Sequence, residues 1–198
     1  MPNVMTIFDE IKKVLPNFNA YFAPAEELKI TYGLAIFVKK SIKINEHGDI
    51  FVFREKNSMI DDGKSLARNL QYIKFQYEGK NFTICNLHGL YTGGGKEDTE
   101  SRIEQSNKIK FFLNKVIEPK ILCGDFNLLP HTESLKILEK NMKNLIKEHD
   151  IKSTRSHFYT KEHKFADYIL VSDEVNVKKF EVKNESVSDH LPLYLEFN

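Results

Sequence analysis

The sequence predicts an α/β or α+β sandwich, and three observations carry that expectation. Strand-like runs recur along the chain: YGLAIFVKK (32–40), GDIFVFRE (48–55), KILCG (120–124), FADYILVS (165–172), VNVKKFEV (175–182) and LPLYLEF (191–197), all rich in β-branched and aromatic residues. Two such runs adjoin in LQYIKFQYEGKNFTICNLHG (70–89), which reads as a hairpin turning at Glu78-Gly79-Lys80-Asn81. Elsewhere helical periodicity separates the strands. Hairpins mixed with strand–helix–strand units fit a sandwich better than a purely parallel sheet.

The elements follow in order. Val4, Phe8, Ile11 and Leu15 fall at helical spacing, and Pro16 stops the helix. After Thr99 a second helix places Ile109, Phe112, Leu113 and Val116 on one face. Thr132 is placed to cap a third helix carrying Leu135, Leu138 and Met142. No repeat, low-complexity tract or linker interrupts this order, so residues 1–198 read as one domain.

Composition narrows the class. A chain of 198 residues with 41% hydrophobic and 29% charged residues suits one sizeable globular core. No apolar run approaches the roughly 20 residues of a membrane-spanning helix. Asp9 and Glu10 interrupt the N-terminus before a signal peptide could form. The two cysteines, Cys85 and Cys123, sit inside apolar runs and read as buried thiols. A reducing, cytoplasmic setting is the expectation. With 29 basic and 28 acidic residues the net charge is +1, which does not advertise a phosphate-tracking basic stripe.

Four strand ends carry polar residues that a buried strand does not need. Asn86 and His88 end ICNLHG, Asp125 and Asn127 follow the KILC run, Asp167 begins DYILV, and Asp189 and His190 precede the last strand. Such positions are where loops expose reactive groups on a rigid scaffold. Taken singly each has a plain structural reading: Asp125-Phe126-Asn127 as an Asx turn, Asp189 as an acceptor for backbone amides, His88 as a satisfied core histidine. Asp and Asn offer hard oxygen ligands, which favour Mg²⁺, Mn²⁺ or Ca²⁺ over zinc, and no Cys/His spacing suggests zinc. Carboxylates, a histidine and a hard cation together suit attack of water on phosphorus.

NLHG (86–89), CGDFN (123–127), ADYILVS (166–172) and SDHLPLYLEF (188–197) occur in an order and spacing that resembles the endonuclease/exonuclease/phosphatase, or DNase I-like, superfamily. The resemblance runs from about Phe18 to the C-terminus. It implies a four-layer sandwich of two mixed sheets flanked by helices. It implies a phosphoester hydrolase, nuclease or phosphatase, dependent on Mg²⁺ or Mn²⁺ and acting on a phosphoester that includes nucleic acid among the candidates. In that likeness Asp189 and Asp125 are metal-binding acids, and Asp125 also positions or deprotonates water. His190 is the base or phosphate clamp, Asp167 orients it, Asn127 binds a phosphate oxygen, and His88 stands on the leaving-group side.

The same resemblance implies an N-terminal truncation. Complete members begin with a strand ending in asparagine and a second ending in a metal-binding glutamate, whereas FDEIKKVLPNFNAYFAP (8–24) resembles the helix that follows. Glu26 and Glu27 read as loop acids. The expectations are an exposed apolar sheet edge unless another segment or chain covers it, and weakened Mg²⁺ binding. An inactive relative serving as a phosphate, nucleic-acid or protein binding module is the competing reading. A metal-free serine hydrolase is weakest, for want of a G-x-S-x-G elbow.

Four further motifs stand out. TGGGKEDT (92–99) lacks the glycine spacing of a phosphate loop and reads as a loop beside His88. Arg102 and Gln105, one turn apart, resemble an R-x-x-Q pattern of related proteins and read equally as a solvated helix face, and Arg68-Asn69 reads as a surface pair, with reach to a phosphate as the alternative. KSTRSHFYTKEHKF (152–165) interleaves aromatic and basic residues that suit stacking on a base or sugar, or an ordinary packed loop.

Overall fold

In the computed structural model, residues 7–28, 30–58, 66–93 and 95–198 are described. Helix α1 (Ile7–Val14) opens the chain and lays Phe8 against Phe22 and Phe37, with ring centroids 5.0 and 5.6 Å apart. Val4, assigned to the same helix by its spacing, lies outside the described residues.

Strand β1 (Phe18–Glu26) pairs with β2 (Tyr32–Lys39) as an antiparallel hairpin. β1 is not apparent in the sequence, because FNAYFAPAE carries Asn19 and Pro24; the register shifts between Pro24 and Glu26, an irregularity of the kind that accommodates a strand proline. Glu26, expected in a loop, ends this strand and is buried.

The main sheet has six strands in the order β3-β4-β5-β6-β8-β7. β3 (Ile44–Phe53), β4 (Arg68–Tyr77) and β5 (Lys80–His88) form an antiparallel meander. Glu78 and Gly79, at φ 48° and 78°, supply the left-handed backbone that a two-residue hairpin demands, as the sequence indicates. β6 (Lys120–Asp125) runs parallel to β5, and the connection between them contains α2 (Glu100–Leu113). β8 (Asp167–Val171) runs antiparallel to β6, with two-residue β7 (Lys143–Asn144) on its far side.

Alternation along β4 and β5 sorts the two faces. Leu70, Tyr72, Cys85 and Leu87 face a cluster that includes Ile109 and Leu113 of α2, together with Leu135 and Leu138 of α3 (Glu133–Glu139). Full burial of each such leucine stabilises the fold by about 1.5–3 kcal/mol. Ile73, Phe75, Phe82 and Ile84 face the other way, toward Tyr21, Ile36 and Val38 of the first hairpin. Phe197 of the second hairpin, β9 (Val177–Val182) with β10 (Leu193–Phe197), meets Phe82 edge-on at 5.3 Å.

The chain therefore forms the expected α/β sandwich, but one layer is continuous and the other divided. Among the described residues β2 pairs only with β1 and β10 only with β9. An apolar groove of about 450 Å³, lined by Ile36, Val38, Phe75, Phe82, Leu195 and Phe197 among others, lies against both strands.

Three local expectations change. Thr132 precedes α3, but its side chain does not cap it; the carboxylate of Asp98 accepts from Glu133 N at 2.7 Å and Ser134 N at 2.9 Å instead. Arg68 and Asn69 are buried, 6% and 2% exposed, because β4 is an inner strand. Arg102 and Gln105 are buried too: Arg102 Nη2 donates to Gly95 O at 2.8 Å, and Gln105 Oε1 accepts from Leu90 N at 3.0 Å. The pair holds the loop between β5 and α2 rather than a solvated face. Both cysteines are free, as their apolar settings suggest.

Candidate functional site

Three neighbouring strands end level with one another. His88 of β5 is the register partner of Asp125 of β6, and Asp125 is the register partner of Asp167 of β8. Gly124 makes that row possible. Its φ of +132° disfavours any side chain, and an added Cβ would lie 2.0 Å from Leu87 O.

Beyond the row the chain turns sharply. Asn127, at φ 52°, donates its backbone N–H to Asp125 Oδ1 at 2.8 Å, so the Asx turn is present alongside whatever else these residues do. The Asn127 side chain is buried, and its Nδ2 reaches Gly89 O only at 3.4 Å.

His190 arrives from the far end of the sequence. Residue 155 forms a backbone bridge with residue 190, Leu191 N donates to Thr154 O at 3.0 Å, and Ser156 Oγ donates to Ser188 O at 2.5 Å. Thr154 Oγ1 also accepts from Ala166 N and Asp167 N, at 3.2 and 3.3 Å. The 153–156 segment thus sets the start of β8 and His190 relative to each other.

His190 Nδ1 lies 2.8 and 2.9 Å from the two oxygens of Asp167. That carboxylate accepts an Nδ1–H, and it raises the imidazole above its ordinary range against an opposing effect of burial. Nε2 then faces Asp125 Oδ2 at 3.8 Å.

His88 is held differently. Its Nδ1 stands 2.8 Å from Tyr32 Oη, and Arg68 Nη1 donates to that same phenol oxygen. Since Tyr32 already accepts from Arg68, its own O–H is free to donate to Nδ1, which leaves the His88 proton on Nε2. Nε2 lies 3.9 Å from Asp125 Oδ2. Burial, helped by the Arg68 charge, lowers His88 to about 4, so it is neutral through the physiological range.

The structure thus brings together His88, Asp125, Asp167 and His190, with Asn127 at the turn. Asp125, Asp167 and His190 each offer a ligand atom within 4.8 Å of the others. Asp189 is not in that group; its Oδ2 accepts from Arg155 Nη1 at 2.9 Å. The guanidinium side chain there is only 5% exposed. The carboxylate donors fit a hard divalent ion, and Asp125 Oδ1, which accepts only the Asn127 N–H, keeps a second lone pair for it.

Tyr32, Thr154 and Lys96 escape a reading of the sequence. Tyr32 looks like an ordinary strand residue, and Thr154 like part of a polar loop. Lys96 sits in TGGGKEDT yet is 4% exposed, with Nζ donating to Phe165 O at 2.5 Å. Only the unusual polarity of strand ends signals this region; Thr154 and Lys96 lie in loops, and Tyr32, which opens β2, is of a type common in strands.

The layered α/β scaffold thus gathers acids and imidazoles where its central strands end. The chain belongs to the Endonuclease/Exonuclease/phosphatase family, whose model matches residues 9–190. A search of curated proteins finds no match. Solved structures share the fold at low identity. A mannosyl-6-phosphatase of Bacteroides thetaiotaomicron is 21% identical, with TM-score 0.76, over 96% of this chain and 80% of that one. The human Nocturnin catalytic domain with bound sulfate is 20% identical, with TM-score 0.68, over 96% and 77%. D. rerio TDP2 with a single-strand DNA product is 16% identical, with TM-score 0.73, over 96% and 80%.

Proposed function

We propose that this chain is a divalent-metal-dependent phosphoester hydrolase in which water attacks phosphorus in line. The observation that carries this reading is the Asp167–His190 pair, with Nδ1 held by both carboxylate oxygens and Nε2 turned to Asp125.

Each residue has a distinct part. Asp125 Oδ2, between two imidazole Nε2 atoms, orients the attacking water and takes its proton. His190, with its protonated form favoured by Asp167, donates from Nε2 to a phosphate oxygen. Asn127 offers its weakly engaged amide to a second oxygen. His88, neutral with its proton on Nε2, faces the departing oxygen. A Mg²⁺ or Mn²⁺ ion held at Asp125 Oδ1 would draw off the negative charge that grows on the phosphate during attack, leaving Oδ2 to the water.

Relatives named as a sugar-phosphate phosphatase and as a DNA-bound protein keep both phosphomonoesters and phosphodiesters in view. The test is hydrolysis of p-nitrophenyl phosphate and bis(p-nitrophenyl) phosphate across a Mg²⁺ and Mn²⁺ series. Metal-stimulated turnover that disappears in His190→Ala supports the proposal. Turnover unchanged by that substitution refutes it.

A second reading rests on Asp189, expected as a metal ligand but paired with Arg155. A site short of one free acid would bind phosphate without cleaving it. Calorimetric uptake of phosphate with no Mg²⁺ or Mn²⁺ uptake and no turnover would favour that binding module.

A further inference from the structure

Beside the acid–imidazole row lies a cleft of about 300 Å³, lined by Tyr91, Lys96, Tyr159, Lys161, Glu162 and His163 together with two glycines. Lys96 ties its inner end to the site. Its Nζ donates to Phe165 O at 2.5 Å, and its own carbonyl accepts from Leu129 N at 3.2 Å. Phe165 lies two residues before Asp167, and Leu129 two residues after Asn127. The lysine therefore stitches together the two segments that present those side chains, and burial lowers its ammonium to about 8.

Tyr159 forms the adjoining wall. Its ring centroid is 4.3 Å from the Arg155 guanidinium and 5.6 Å from Lys96 Nζ. Arg155 is the partner of Asp189, next to His190. Tyr91, three residues beyond His88, belongs to the lining and is 42% exposed. The cleft thus starts from the same segments that bound the phosphate site.

We propose that this cleft receives the alcohol portion of the substrate, and that this portion is a single hydroxylated ring, making the substrate class sugar monophosphates. The inference rests on reading Asp125, Asp167 and His190 as the phosphate site. Three features carry it. The volume is at the lower end of the range for small-ligand pockets and suits one ring rather than a stretch of polymer. The exposed Tyr91 ring offers an apolar surface to the C–H face of a sugar, while Tyr159 carries Arg155 and Lys96 over its ring. Lys161, Glu162 and His163 offer both donors and acceptors to hydroxyl groups, each of which can donate and accept. A nucleobase presents a fixed edge pattern and two flat faces, and it matches this mixed, solvent-reaching lining less well.

The experiment is calorimetry on the full chain with three probes: inorganic phosphate, mannose 6-phosphate and adenosine 5′-monophosphate. Mannose 6-phosphate is expected to bind at least tenfold more tightly than phosphate. Tyr91→Ala and Lys161→Ala are expected to bring that ratio toward one. Both side chains are exposed, and melting curves verify that the variants fold. Equal affinity for phosphate and mannose 6-phosphate overturns the cleft while leaving the phosphate site standing. Tighter binding of the nucleotide overturns the sugar assignment. Failure of all three probes to bind a folded chain overturns the phosphate site and the cleft together.

Discussion

His88 and His190 approach the same oxygen of Asp125, at 3.9 and 3.8 Å, but what stands behind each ring differs. Behind His190 is a carboxylate; behind His88 are a phenol and a guanidinium. The carboxylate raises the imidazole of His190, whereas burial, helped by the Arg68 charge, lowers that of His88 to about 4. Two identical side chains thus differ in charge preference: the fold favours the protonated form at His190 and the neutral form at His88. The comparison teaches that the surroundings of each ring, more than proximity to Asp125, set its preferred charge: burial at His88 and a hydrogen-bonded carboxylate at His190.

The largest effect comes from removing the row on which the comparison stands. Gly124→Ala forces a Cβ against Leu87 O and costs at least about 3 kcal/mol, combining backbone strain with a clash between adjacent central strands. Chemical denaturation measures this, and a loss under 1 kcal/mol, on the scale of a tolerated substitution, would contradict the geometry. Next is Asp167→Asn, which takes the carboxylate from His190. Turnover should drop by about 10²–10³, the scale of one proton-transfer group. The imidazole titration followed by NMR should move to lower pH. A fall in turnover with no movement of that titration would detach the rate from His190.

Asp189→Asn should be milder. It leaves the buried Arg155 guanidinium with a neutral partner and should cost about 1–3 kcal/mol of stability. Metal affinity measured alongside stability separates the roles: a large loss of Mg²⁺ binding at unchanged stability would mark Asp189 as a ligand despite its ion pair. Smaller again is Tyr32→Phe, which removes the phenol between Arg68 and His88. Turnover should fall by about tenfold, less than the roughly 10²–10⁴ of a proton-transfer group itself, because Tyr32 only orients His88. The His88 nitrogen signals should lose their preference for one tautomer.

The pH dependence sharpens the same contrast. His88 has a lowered value in the folded state, so its contribution to stability is present above its unfolded value near 6.5 and is lost as pH falls toward about 4. His190 has a raised value, so its contribution is present below 6.5 and is lost as pH rises through its folded value. Melting curves of His88→Gln should lack the acid-side loss, and those of His190→Gln the alkaline-side loss. If both variants keep the parental pH dependence, the two settings are not those of the folded chain in solution.

Much of this was legible in the chain. Strand periodicity located β2 through β6 and β8 through β10, and the polar residues at strand ends marked His88, Asp125, Asp167 and His190 without any coordinates. The misses share a cause. β1 was hidden by Pro24, which a bulge accommodates. Thr132 looked like a cap, but Asp98, 35 residues away from Glu133, took the amides. Arg68 and Arg102 looked solvated and are buried, because their partners are a phenol 36 residues away and carbonyl groups of the loop before α2. Residue type reports a need for hydrogen-bond partners but does not name where they come from.

By itself, the sequence determined which stretches become strands and helices and which reactive side chains stand at strand ends, since side-chain period and turn chemistry act over a few residues. Tertiary structure alone decided that His88, Asp125 and Asp167 stand level, that Asp189 turns to Arg155, and that one histidine is raised while the other is lowered. Those outcomes depend on strand register and on groups 23 to 56 residues apart in the chain, whose fields and hydrogen bonds exist only once the layers have packed.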